Sequence, residues 1–441
     1  LSTLEEIWDD TESMKSLTMN SNNRIVVVGA GAAGLMSAVA ATENGADVIV
    51  VEKNKNAGRK LNITGKGRCN VTNNCGMDAL IENIPQNPRF MYSAFSEFSP
   101  QDMMQCLEKL GVPLKTERGN RVFPVSDRAQ DVTNALLACI KSRGARIIND
   151  TVTDIIAEDG KVASVMCERI GKIECASVIV ATGGVSYSAT GSTGDGYRFA
   201  EKLGHTVKAP QASLVPLVSE PELCRKAQGL TLKNVTLTAY DEKGRKIFSE
   251  LGEMMFTHFG ITGPLVLSAS AHMRDFDKHK YSISLDLKPA LDEQKLEKRI
   301  LRDIEEKKNK NMSNLLRGLL PESIIPIVLE KANIDMDVKA NELTREKRHS
   351  LRDTLKNLCF SVAKKRPVEE AIITSGGIST REINPKTMES KLISGLFFAG
   401  EVIDVDGYTG GFNLQIAWSS AYCAGKNAGI GGNYEKNQYS H

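Results

Sequence analysis

The sequence predicts an α/β protein: a Rossmann-like nucleotide-binding domain built from two separated stretches of chain, with a second module inserted between them. Three observations carry this. Residues 29–34 read GAGAAG, between a short β-branched run and a helix-forming run. Near Ala209 the chain changes character: it becomes strand-rich and then, from Leu291 to Lys356, helical and heavily charged. After Arg366 a β-rich, glycine-rich character returns and lasts to the end. The expected divisions are an N-terminal extension at 1–22, a first domain part at 23–208, the insert at 209–364 and a second part at 365–441.

The elements follow in order. Arg24–Val28 and Asp47–Val51 are β-branched runs, and Ala32–Asn44 between them is helical in composition and stops at Gly45. Parallel strands need such a crossover, so the three make a β-α-β unit. Ser99-Pro100 reads as N-cap and first residue of a helix that stops at Gly111. Asp127 is the expected cap of a further helix reaching about Arg143. Arg146–Ile148, Val152–Ala157, Lys161–Glu168 and Lys172–Cys175 read as strands, with a turn at Asp159-Gly160. Ser177–Ala181 is an apolar strand, and Asp195–Leu203 a helix stopped by Gly204. Acidic and basic residues alternate through Asp292–Lys310, which predicts a solvated helix face rather than a nucleic-acid arm.

Composition narrows the function classes. The 441 residues are 41% hydrophobic and 25% charged, ordinary values for a globular protein. The 56 basic and 54 acidic residues give a net charge of +2, which makes no electrostatic case for nucleic acid or an anionic membrane. Ile25–Thr42 lacks charge, yet its β-branched start and three spaced glycines exclude a membrane helix. Nine dispersed cysteines without a CxxC pair predict reduced thiols, a cytoplasmic location and no metal site.

The GAGAAG turn predicts a dinucleotide. Gly29 permits the tight turn, Gly31 lets the backbone approach a pyrophosphate, and Gly34 lets helix and strand pack closely. The phosphates then sit at a helix N-terminus, which favours negative charge. Glu52 closes the second strand, where a carboxylate hydrogen-bonds ribose hydroxyls and repels a 2′-phosphate, so NADP is not expected at this site. The run GLFFAGEVIDVDGYTGGFNLQIAWSSA from Gly395 supplies a second strand–turn–helix, with Glu401, Asp404 and a helix opening near Asn413. It places an acid near a ribityl chain and aims another helix N-terminus at a flavin, whose reduced form is anionic. The two signals together predict FAD.

These residues resemble a known group: the bacterial flavoproteins called HI0933-like or aminoacetone-oxidase-like, which include proteins described as bile-acid Δ4,6-reductases. Besides the GAGAAG turn and the C-terminal run, the resemblance rests on GRKLNITGKGRCNVTN from Gly58, ATGG from Ala181, GSTGDGY from Gly191, FTHFGITGP from Phe256 and TSGGI from Thr374. It spans about Arg24 to Gly429. It implies a three-layer FAD domain of the glutathione-reductase type with a β-barrel-like and helical insert. It also implies Glu52, Lys60, Thr64, Gly65, Cys69, Asn70, Glu401, Asp404, Gly411, Phe412 and Asn413 as FAD neighbours. Ala33, Lys53, Val152, Thr182, Gly183 and Leu414 complete the candidate cofactor contacts. Arg59, Lys60, Lys66 and Arg68 would bring positive charge to a pyrophosphate or an anionic flavin.

The expected activity is hydride transfer between flavin N5 and a small organic substrate. Two reactions fit: reduction of an enone C=C, with NADH or NADPH as a transient reductant, and oxidation of an amine by oxygen. His258, in the Phe256–Gly263 loop that the resemblance places over the ring, is the candidate acid–base residue. A dithiol–disulfide flavoprotein using Cys69 and Cys75 is a further reading. Their C-x5-C spacing differs from the C-x4-C of glutathione reductase, and a second nucleotide turn is missing. A non-catalytic FAD protein or an RNA-modifying one is another, without a basic stripe to support it.

Overall fold

In the computed structural model, which describes residues 23–429, five short strands align in parallel. Their order is Leu396–Phe398, Ser177–Val180, β1 (Arg24–Val28), β2 (Asp47–Glu52) and Arg146–Asn149. Val28 stands opposite both Val180 and Val51. Every residue of β1 is buried, as a continuous apolar run must be when both faces of a parallel sheet are covered. Helix α1 (Ala32–Glu43) packs with Ala129–Ser142 and Phe412–Ala428 as one layer. An antiparallel meander of Val152–Glu158, Lys161–Cys167 and Gly171–Glu174 forms another, giving the three-layer Rossmann-type domain.

Two compact units result. One runs to Gln211 and resumes at Ile372, and the other is Ala212–Ala371. The 1–22 extension and residues 430–441 lie outside the described residues. The second unit is a closed six-stranded barrel, in the order Leu217–Ser219, Gly260–Thr262, Lys246–Phe256, Thr231–Tyr240, Tyr281–Asp286 and Leu358–Lys365. Charged helices accompany it; Glu293–Glu306 buries only Leu296, Ile300 and Asp303, the last against Arg299 at 2.9 Å. No helix among the described residues is long and apolar enough to cross a membrane.

Helix starts show where local chemistry decides. Ser99 and Asp102 form a reciprocal capping box: the Asp102 amide donates to Ser99 Oγ, and the Ser99 amide to the Asp102 carboxylate at 2.8 Å. Asp127 does not cap its helix, which starts at Ala129 with Arg128 as N-cap. Asp127 instead sits in the left-handed region, φ +55°, and its carboxylate is held by Arg68 and Lys115 at 2.7 Å each. Two cations outbid the helix amides for that carboxylate.

Candidate functional site

The cleft of the first unit lies at the end of β1. Here Gly29 donates its amide to Val51 O, and Ala30 donates to the Glu52 carboxylate at 2.7 Å. Gly29 has φ +100°, and a Cβ on it would stand 2.8 Å from Ala181 O. A Cβ on Gly34 would stand 1.8 Å from Gly29 O, an overlap of backbone and side chain. Gly31 differs: nothing lies within 4 Å of where its Cβ would be. It is the N-cap of α1, with no side chain capping it and no acidic residue in the first turn. Packing does not demand glycine there, whereas a phosphate drawn up to the helix amides would.

About 1310 Å³ of space, including the part open to solvent, lies in front of this turn. The cleft brings together Gly29, Gly31, Ala33, Glu52, Lys53, Lys60, Thr64, Val152, Thr182, Gly183, Glu401, Asn413 and Leu414. Gly34, Gly65, Cys69, Asn70, Asp404, Gly411 and Phe412 are not on its wall. Gly34 packs against the turn. Gly411, φ +103°, is the N-cap of the C-terminal helix, where a Cβ would stand 2.3 Å from the Thr72 carbonyl carbon. Gly65, φ +57°, and buried Cys69, φ +59°, shape the loop that leads away from Thr64. Two helix N-termini thus open on one cleft, that of α1 and that of Phe412–Ala428.

Glu52 is fixed on both oxygens. One accepts from Ala30 and the other from the Asn54 amide at 2.8 Å and the Asn54 side chain at 2.6 Å. Lys53 pairs with Asp195 at 2.6 Å. Burial works to raise the Asp195 carboxyl, but Lys53 and Thr193 outweigh it and hold its pKa below the ordinary value. Lys60 donates to Glu401 at 2.5 Å and to Ser186 Oγ at 2.7 Å. The other Glu401 oxygen accepts from the Thr374 amide and from Ser186 Oγ, both at 2.8 Å. Burial pushes the Glu401 pKa up, yet the Lys60 charge and these hydrogen bonds pull it further down. Of the four cations expected near the cofactor, Arg59 and Lys60 reach the wall; Lys66 and Arg68 do not.

The residues present fit FAD. Gly31 leaves room at uncapped amides where a pyrophosphate would lie, and Glu52, on the same wall, would accept from the hydroxyls of an unphosphorylated ribose. Thr182 on the cleft wall keeps a buried side-chain oxygen without a partner; Asp404 and Asn70 also each keep one, but off the wall. Sequence reasoning missed Asn54, Asp150, Thr151, Ser192 and Asp195 on the wall. Ser192 and Asp195 lie in GSTGDGY, a motif that signalled the segment without assigning contacts. Asp150 follows a strand that pairs with β2, Asn149 opposite Glu52, a register no local pattern reveals.

His258 lies in the barrel unit, exposed on the bend between Lys246–Phe256 and Gly260–Thr262, with its ring 5.0 Å from that of Phe259. The cysteines are poorly suited to redox exchange: burial pushes the Cys69 thiol up to about 12 and also raises that of Cys75. Cys75→Ser is expected to keep both FAD and turnover in steady-state assays; abolished turnover would restore the dithiol reading.

Comparison with known proteins places this geometry. A model of the HI0933-like protein Rossmann domain matches residues 23–427. A ribosomal RNA dihydrouridine synthase of Haemophilus influenzae is 32% identical over 92% of this chain and 98% of that protein. A 3-dehydro-bile acid Δ(4,6)-reductase of Clostridium scindens is 29% identical over 92% of this chain and 99% of that protein. The 3-ketosteroid Δ4-(5α)-dehydrogenase structure from Rhodococcus jostii RHA1 shares the fold, with a TM-score of 0.51 at 15% identity, over 94% of this chain and 98% of that one.

Proposed function

The chain belongs to the HI0933-like Rossmann-domain family and is an FAD-dependent oxidoreductase, and from that premise we propose that it reduces a carbon–carbon double bond conjugated to a carbonyl, in the uracil ring of RNA. One observation carries the reading. Two relatives matched from end to end bear names that describe a single bond change on different scaffolds. Dihydrouridine is uridine with its C5=C6 bond saturated, and that bond is conjugated to the C4 carbonyl. A Δ4,6 bile-acid ketone is a vinylogous version of the same arrangement. RNA takes precedence because the dihydrouridine synthase has the higher identity, 32% against 29%.

Bound FAD, once reduced by NADH or NADPH, would supply a hydride from N5. The chain's own residues do the rest. The α1 N-terminus and Gly31 would hold the pyrophosphate, and Glu52 the adenosine ribose. Hydride addition at C6 leaves negative charge on C5 and the C4 oxygen, and a proton at C5 completes the reduction. Lys60, held by Glu401 and Ser186, would offer an ammonium hydrogen-bond donor on the cleft wall to the developing oxygen charge. His258 is the proposed proton donor. His258→Ala should retain the flavin spectrum and lose turnover by on the order of 10²–10⁴-fold; full activity removes His258 from the assignment.

Anaerobic flavin absorbance tests the reading. The holoenzyme is reduced with NADH or NADPH and then mixed with unmodified ribosomal RNA, free uridine, a steroid 4,6-dien-3-one or aminoacetone. Reoxidation by RNA is the expected result. Reoxidation by the steroid alone would favour the second scaffold. Bleaching of the oxidised flavin by the amine, with no unsaturated compound reoxidising it, would replace the reductase with an amine oxidase.

A further inference from the structure

The chain as a whole is balanced in charge, but one stretch is not. From Lys53 to Met77 there are six basic residues and no acidic one, against 56 and 54 in the full sequence. Three of the six are occupied by carboxylates: Lys53 by Asp195, Lys60 by Glu401, and Arg68 by Glu117 and Asp127. Lys66 is exposed and has no carboxylate within ion-pair distance among the described residues. It holds φ +61°, a left-handed conformation that a lysine adopts only at a cost.

Tertiary structure adds to this face from a distant segment. The hairpin of Leu114–Glu117 and Arg121–Pro124 presents Arg118 and Arg121, both exposed and likewise without a carboxylate partner. Phe123 gathers the two segments: Arg68 lies 4.1 Å and Arg121 5.9 Å from its ring centre, and a Cβ on Gly65 would stand 3.3 Å from the ring. Arg121 Nε donates to Arg118 O at 3.1 Å, which holds the turn. The face is also tied to the cleft. Asn73 Nδ2 donates to Gly119 O in the hairpin turn and to Gly410 O, both at 3.0 Å. Gly410 precedes the helix whose Asn413 and Leu414 line the cleft, and Lys66 follows Arg59, Lys60 and Thr64 of its wall.

We infer that Lys66 and the adjoining hairpin residues Arg118 and Arg121, on two segments joined through Phe123, dock the phosphate backbone of the RNA whose uracil enters the cleft. The inference rests on the RNA reading above. Unpaired cations in an array take phosphates without reading sequence, so they set where the strand lies and leave base choice to the cleft. Phe123 itself is buried and serves only to hold the two segments together.

The test uses the FAD-loaded full chain and its Lys66→Glu/Arg118→Glu/Arg121→Glu variant, with Lys66→Arg/Arg118→Lys/Arg121→Lys as the charge-preserving control. Retained flavin absorbance establishes that each variant is folded. Binding of an in vitro ribosomal RNA transcript is followed by fluorescence anisotropy from about 50 to 200 mM salt. The glutamate variant should bind on the order of tenfold or more weakly, with a salt slope shallower by about 2, while reducing free uridine as the parent does. The control should retain affinity and slope. Unchanged RNA affinity in the glutamate variant would overturn this docking face and leave the RNA reading standing. Failure of the parent holoenzyme to bind or reduce RNA would overturn both.

Discussion

Gly34→Ala is expected to yield a destabilised, flavin-free protein, whereas Gly31→Ala yields a stable one that binds FAD weakly. The two positions are three residues apart on one turn, yet they face different things. The Gly34 Cβ would overlap Gly29 O at 1.8 Å, and neither backbone can yield, because Gly29 directly follows β1 and Gly34 lies in α1. Overpacking of this kind costs about 3 kcal/mol or more, which lowers the melting temperature by roughly 6–12 °C for a unit of this size. The Gly31 Cβ meets nothing within 4 Å, so its cost falls on the ligand. Thermal melts with and without added FAD, together with flavin titrations, separate the two. Equal melting temperatures for the variants would refute the division of roles.

Glu401→Leu should be the most damaging substitution away from the turn. It strips Lys60 of its counter-charge and leaves the Thr374 amide without its acceptor. Removing one partner of a largely buried pair costs about 3–5 kcal/mol. Glu401→Gln retains an acceptor for Thr374 and Ser186 and should lose about half as much. Acid pH has the same effect on the parent. The folded pKa of Glu401 lies below the ordinary 4.5, so its contribution is complete above about pH 4.5 and fades as pH falls through the lower folded value. Melting temperatures across pH 3–7 should show a steep acid limb in the parent and a shallower one in Glu401→Gln. Coincident limbs would show that the pair does not govern acid stability.

Much of this was legible along the chain because it is local. Arg24–Val28, Ala32–Glu43 and Asp47–Glu52 follow from β-branching, helix propensity and glycine spacing, each acting over a few residues. Ser99-Pro100 announced its helix because the capping box closes within four residues. Asp127 misled because its carboxylate answers to Arg68 and Lys115, and Arg68 is 59 residues away. Ser192 and Asp195 were readable as a motif but not as contacts, since their place on the wall depends on Lys53, Asn54 and the first strand pair.

The sequence by itself determined the nucleotide turn, the acidic end of β2, the two-part domain around an inserted module, and a flavin as the cofactor. These rest on backbone conformation and charge at fixed short spacings, which a linear pattern records. Only the tertiary structure decided that Gly31 faces open space while Gly34 faces backbone, and that Lys60 is held by Glu401 across 341 residues. Tertiary structure also decided that the loop carrying Lys66 meets the hairpin carrying Arg118 and Arg121, through Phe123. Net charge averages that face away, because long-range pairing removes some cations from solution and leaves others exposed.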